Sequence, residues 1–133
     1  KMTKKKICIV TSTYNEEITS QICEISKNEL SKLNYNNVMI IKVPGAFEIP
    51  VAISRLINKF DGFIAIGCVI KGETNNFDLI SQAITNAIMQ ISISAKKPIG
   101  NAILTCFKKD QAAQRINKGL EAVKALDIIL KNV

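Results

Sequence analysis

GFIAIGCVIKGETNNFD, residues 62–78, decides how the rest of the chain is read. Its first half is an almost unbroken apolar run, Phe63, Ile64, Ala65, Ile66, Cys68, Val69 and Ile70. A run of strand length without polar alternation fits a central parallel strand covered on both faces. The character then changes. Lys71, Gly72, Glu73, Thr74, Asn75 and Asn76 bring charge, a flexible backbone and hydrogen-bonding side chains to the strand's carboxyl end, before a helical pattern resumes at Phe77. Ligands of open α/β sheets bind at that edge. A glycine followed by Thr74 near a helix start directs N–H groups, a hydroxyl and the helix dipole toward an anion such as phosphate. An ordinary strand-to-helix loop has the same composition, so the loop alone does not establish a site.

Two nucleotide-binding motifs fail. Gly67 and Gly72 have P-loop spacing, but Lys71 precedes the second glycine and Glu73 stands where the motif needs lysine. A dinucleotide fingerprint needs glycines after the first strand, where this chain has Thr11, Ser12, Thr13, Tyr14 and Asn15.

Outward from this stretch, strands and helices alternate. Ile7–Val10 reads as a first strand, followed by a helix on which Ile18, Ile22, Ile25 and Leu33 recur at helical spacing. Asn34–Asn37 reads as a turn, and Val38–Val43 as a second strand stopped by Pro44 and Gly45. The following segment is helical only with Pro50 in its first turn, which places Ala46, Phe47 and Glu48 at the helix entrance. After the third strand, Leu79, Ile80, Ala83, Ile84, Ala87, Ile88 and Ile91 trace a stripe expected to be core, closed by Lys96, Lys97 and Pro98. Ile103–Cys106 gives a fourth strand. Asp110 is expected to cap one final helix with the stripe Ala113, Ile116, Leu120, Val123 and Leu130. This order predicts an α/β fold, a parallel sheet with helices on both faces. The unusual loop residues all follow strands and should gather along one sheet edge, which makes a ligand site more credible than any one loop does.

Composition narrows the function. Residues 2–133 are expected to form a single domain, with Lys1 standing before Met2, the apparent natural start. No apolar run reaches the roughly 18 residues of a membrane span. The lysines at 4–6 precede only a short apolar run, so no signal peptide is read, and a cytoplasmic location is expected. Cys8, Cys23, Cys68 and Cys106 contain no CxxC pair and read as small core residues. The chain has no histidine, which excludes a histidine-based triad and argues against zinc. The net charge of +7 comes mostly from scattered lysines, and aromatics make up 5% of the residues, too few for a base-stacking platform. A surface attracting phosphorylated metabolites accounts for the charge equally well.

Three ordered motifs carry a resemblance: VPGAFEIP at 43–50, GCVIKGETNNFD at 67–78, and PIGNAILT with DQAAQR between Pro98 and Arg115. Together they resemble the 6,7-dimethyl-8-ribityllumazine synthase family, over nearly the whole span from Ile7 to Leu130. The resemblance implies a flavodoxin-like three-layer sandwich with a four-stranded parallel sheet. It also implies a transferase of riboflavin biosynthesis that condenses 5-amino-6-(D-ribitylamino)uracil with 3,4-dihydroxy-2-butanone 4-phosphate, without cofactor or metal. Homopentamers or multiples of pentamers, with active sites shared between neighbours, are implied as well. Riboflavin synthase is a further candidate partner; nucleic acid and membrane are not.

By the same resemblance, Tyr14 stacks on the pyrimidine with Asn15 beside it. Ala46, Phe47 and Glu48 hold the ribityl chain, and the backbones of Val69 and Ile70 face the uracil. Lys71, Gly72, Glu73 and Thr74 form the loop that receives the phosphate, Arg115 binds phosphate from the adjacent subunit, and Lys118 is a further active-site lysine. The chain departs from the family at Asn76, where the pattern has a histidine, and at Asn101, where an aromatic is sometimes found. Only two residues separate Arg115 from Lys118, so a break between the last helices is not expected. A second reading stays open: a homologue that keeps the pocket but serves as a flavin- or lumazine-binding or shell protein. A third, a generic phosphate-binding flavodoxin-like domain, does not account for the other two motifs.

Overall fold

The computed structural model describes residues 3–133. Four strands, β1 (Thr3–Ser12), β2 (Tyr35–Val43), β3 (Gly62–Ile70) and β4 (Ile99–Cys106), form one parallel sheet in the order β2-β1-β3-β4. Five helices connect and flank them: α1 (Glu16–Lys32), α2 (Ile49–Leu56), α3 (Phe77–Ala95), α4 (Lys109–Ala113) and α5 (Lys118–Asn132). This is the expected flavodoxin-like arrangement, with β3 inside the sheet and all nine of its residues buried.

The period-2 alternation of the strands divides the core in two. Ile7, Ile9, Ile64 and Ile66 pack with Ile22 and Leu30 of α1 and Val123 and Leu126 of α5. Cys8, Val10, Phe63 and Ala65 face Ile49 and Ile53 of α2 and Ile84 and Ile88 of α3. All four cysteines are free and buried, and burial pushes the Cys8 and Cys68 thiols up to about 12.

Several elements differ from the sequence expectation. β2 begins at Tyr35, inside the expected turn, because the buried Tyr35 ring needs a place in the core and its hydroxyl donates to Asp127 Oδ1 at 2.7 Å. β4 starts at Ile99, four residues early. The expected single final helix is two helices. A turn at 114–117 separates α4 from α5, and Asp110 lies in the first turn of α4 rather than at its cap. After the break α5 lies close on α1: a Cβ on Gly119 would stand 2.8 Å from Ile22 O, so a glycine at this position permits the approach. The buried stripe is Ala112, Ala122, Val123 and Leu126, while Ala113 is exposed.

The α3 stripe is core only in part. Ile84 and Ile88 are buried, whereas Leu79 is 69% exposed and Ala83 also faces outward. Apolar periodicity marks a face that avoids water but not what covers it. Among the described residues, no helix is long and apolar enough to cross a membrane.

Candidate active site

The loops after β1, β2 and β3 lie together at the carboxyl edge and are tied to one another. Thr13 N–H donates to Val43 O at 2.8 Å and Tyr14 N–H to Pro44 O at 3.0 Å, joining the first loop to the second. Asn15 joins the first to the third. Its backbone is left-handed (φ 58°), a conformation asparagine tolerates better than most residues, and it makes no side-chain cap to α1. Instead its Nδ2 donates to Glu73 Oε1 at 3.0 Å and to Cys68 O at 3.4 Å.

Ala46–Glu48 forms a single 3-10 turn, and Glu48 Oε1 accepts the Gly45 N–H at 2.9 Å. This turn sits close over β3 because of Gly67, where a Cβ would stand 3.1 Å from Ala46 Cβ and 3.2 Å from Ile49 Cδ1. Lys71–Glu73 makes another 3-10 turn, after which Thr74 is extended. A Cβ added to Gly72 meets nothing within 4 Å, so the space over this loop is open.

These loops enclose a cavity of about 150 Å³ lined by Tyr14, Ala46, Phe47, Val69, Ile70, Glu73 and Thr74, all named from sequence. Gly45, Cys68 and Ile80 also line it. Gly45 and Cys68 adjoin quoted positions, but Ile80 is brought in only by the angle at which α3 leaves the sheet. Tyr14 is 52% exposed and Phe47 65%, so both aromatics stand at the rim rather than in the core. Asn15 braces the cavity without lining it. Lys71, Gly72 and Asn76 are exposed beside it. Asn76 occupies the N-cap position of α3 without a side-chain cap, and its carbonyl accepts the Ile80 N–H at 2.9 Å. Glu48 faces an adjoining apolar groove with Val51, Ala83 and Ala87, between α2 and α3, which shares Phe47 with this cavity.

Asn101, Arg115 and Lys118 are elsewhere. They line a cavity of about 540 Å³ along the outer edge of β4, with Thr85, Gln114 and Glu121. Asn101 Oδ1 accepts the Ile103 N–H at 2.9 Å, which satisfies a donor on this free sheet edge. Arg115 Nη1 donates to Cys106 Sγ at 3.6 Å, and Lys118 Nζ lies 3.7 Å from Glu121 Oε1. None of the residues lining this cavity lines the first.

At the start of α1, Glu17 pairs with Lys109 of α4. The ion pair and its hydrogen bond hold the Glu17 carboxyl below the usual carboxylate range and raise Lys109. Sequence reading missed this link because its partners lie far apart in the chain and carry no motif.

Comparison with known proteins places the chain. The family model of 6,7-dimethyl-8-ribityllumazine synthase matches residues 4–131. The 6,7-dimethyl-8-ribityllumazine synthase of Leuconostoc mesenteroides is 39% identical over 137 residues, covering 96% of this chain and 88% of that protein. That of Polaromonas sp. is 38% identical, with 91% of this chain and 82% of the relative covered, and that of Limosilactobacillus reuteri is 40% identical, with 88% and 77% covered. With motifs, sheet order and near full-length matches in agreement, the chain belongs to the 6,7-dimethyl-8-ribityllumazine synthase family.

Proposed function

We propose that the chain condenses 5-amino-6-(D-ribitylamino)uracil with 3,4-dihydroxy-2-butanone 4-phosphate to form 6,7-dimethyl-8-ribityllumazine, releasing phosphate and water, in riboflavin biosynthesis. Family membership supports the reaction. The single structural observation behind the site is the cavity at the carboxyl edge, where Tyr14, Ala46, Val69, Ile70, Glu73 and Thr74 meet from three separate loops. Tyr14 offers a ring face to the pyrimidine, and the carboxyl end of β3 offers backbone groups to its polar edge. The turn at 71–74 and the start of α3 offer N–H groups and a hydroxyl to the phosphate.

About 150 Å³ is small against the roughly 300–1,000 Å³ of typical small-molecule sites. The proposal is therefore that a neighbouring subunit completes the site with Arg115, Lys118 and Asn101 from its own β4 edge. A homopentamer is the assembly we propose, in a cytoplasmic setting, with riboflavin synthase as the consumer of its product. The exposed apolar groove between α2 and α3 is consistent with a covered subunit face.

Asn76 sets the chemistry apart. Asparagine can hydrogen-bond a substrate or orient a water but does not titrate near neutral pH. The reaction then rests on holding two reactants in register, for which effective molarities reach about 10⁵–10⁸ M. Arg115 and Lys71 add charge that stabilises the departing phosphate.

The test is direct: purified protein is mixed with both substrates and lumazine absorbance is followed against the uncatalysed background. A rate above background is expected. Binding of the lumazine product with no rate would instead identify a binding or shell protein. Site sharing has its own test. Tyr14→Ala and Arg115→Ala proteins, each impaired alone, should recover activity when their subunits are mixed, because some interfaces then carry both intact halves. No recovery after verified subunit exchange would place the site within one chain.

A further inference from the structure

Phe107 is an exposed aromatic that the reaction as described does not use. It lies between β4 and α4 and is 62% exposed. Its backbone is fixed: the N–H groups of Phe107 and Lys108 both donate to Gln111 Oε1, at 3.0 and 3.2 Å. The Phe107 ring stands 6.0 Å from the ring of Phe77, the first residue of α3. The ammonium of Lys71, the first residue of the turn after β3, lies 5.1 Å from its centroid. Two consecutive strand-to-helix connections are thus joined through one aromatic face, at the edge where the candidate phosphate loop lies.

Two acidic residues of this edge are engaged elsewhere. Glu73, two residues along, accepts from Asn15, and Glu17 pairs with Lys109. Among the described residues, Lys71 makes no ion pair. The distinction matters electrostatically. A carboxylate would hold the ammonium and cancel its charge, whereas a ring face holds it through its quadrupole and leaves the charge free to act on an anion. The open space over Gly72 lies next to this lysine.

We propose that Phe107 is a positioning residue that holds Lys71 as an uncompensated cation beside the loop 72–74, where it recruits the phosphate group of the substrate. The inference rests on the reading of that loop as the phosphate site. Phe77, half-buried at the start of α3, steadies the ring, and the exposed positions of Phe107 and Lys71 let the ammonium face a phosphate while it stays over the ring.

The test uses inorganic phosphate as probe, titrated at low salt by calorimetry into the full-length protein. Phe107→Leu keeps an apolar contact for Phe77 and removes the ring face; Phe107→Tyr keeps the face. Phosphate affinity should fall about two- to fivefold in Phe107→Leu, the equivalent of an exposed cation–π contact, and remain near wild type in Phe107→Tyr. In a Lys71→Met background, Phe107→Leu should have no further effect. With substrates, the KM for the butanone phosphate should rise in Phe107→Leu by a similar factor, with the KM for the pyrimidine little changed. Unchanged phosphate affinity in Phe107→Leu, a loss that persists without Lys71, or no phosphate binding by the wild type would each overturn the proposal. Absence of lumazine formation by a wild type that still binds phosphate through Phe107 would overturn the assigned reaction alone.

Discussion

Gly100→Ala tests whether α5 is held where the edge cavity needs it. Gly100 lies on β4, and a Cβ there would stand 2.4 Å from Ala122 O, 3.0 Å from Ala122 C and 2.8 Å from Ile64 Cδ1. Ordinary contact begins near 3.4 Å, so the first of these requires a relative shift of about 1 Å. The isoleucine methyl can rotate aside. The carbonyl cannot, because it belongs to the backbone of α5, and the whole helix must move off the sheet against Val123 and Leu126, which are buried beside it. Overpacking of this kind costs about 1–3 kcal/mol, and a rigid backbone obstacle puts the expectation at roughly 2–3 kcal/mol. With a urea m-value of roughly 1.5–2 kcal/mol/M, the midpoint should fall by about 1–2 M at fixed protein concentration. Lys118 opens α5 and Glu121 follows one turn later, so the residual folded protein should also lose activity through the displaced cavity wall. Gly72→Ala is the control: nothing lies within 4 Å of its added Cβ, and stability should change by less than about 0.5 kcal/mol. A Gly100→Ala midpoint indistinguishable from wild type would refute the claim that α5 is seated on the bare backbone of β4.

Other expectations are equally direct. Tyr14→Ala should weaken binding of a ribityl-pyrimidine analogue by about 1–3 kcal/mol, by analogy with base–aromatic stacking, with stability little changed because the side chain is half exposed; calorimetric titration and a thermal melt check both. Asn76→His should raise kcat by up to about 10²–10⁴-fold and introduce a step near a histidine pKa in the pH–rate profile; an unchanged rate and profile would remove position 76 from proton transfer. Stability should fall as pH rises above about 9, because the unfolded chain loses the Cys8 and Cys68 protons there while burial holds the folded thiols up to about 12. Each thiol contributes about 1.4 kcal/mol per pH unit across that window, so Cys8→Ala should shallow the alkaline slope of urea stability by that amount, whatever its effect at neutral pH.

Much of this molecule was legible in the order of its residues. The unbroken run at 63–70 is buried on both sides, so it needs no polar alternation, and it occupies an interior position in the sheet. Pro50 sits in the first turn of α2, where its missing N–H costs nothing. The loops that gather at the carboxyl edge do so because parallel strands all end on the same side. Local chemistry and chain direction were enough for these features, since each depends on neighbours in sequence or on the sense of a strand.

The tertiary structure alone decided the rest. The α3 periodicity is real, yet Leu79 and Ala83 lie outside the chain's own core, because a hydrophobic stripe records avoidance of water and not the surface that covers it. The seat of α5 beyond the break, where Gly119 comes close to Ile22, is a contact between segments nearly a hundred residues apart. The separation of Arg115, Lys118 and Asn101 from the first cavity follows from β4 being an edge strand, a position fixed by sheet order. Motifs name the residues that a reaction uses, but which of them share a wall depends on contacts between segments distant in sequence. Only the packed fold specifies those contacts.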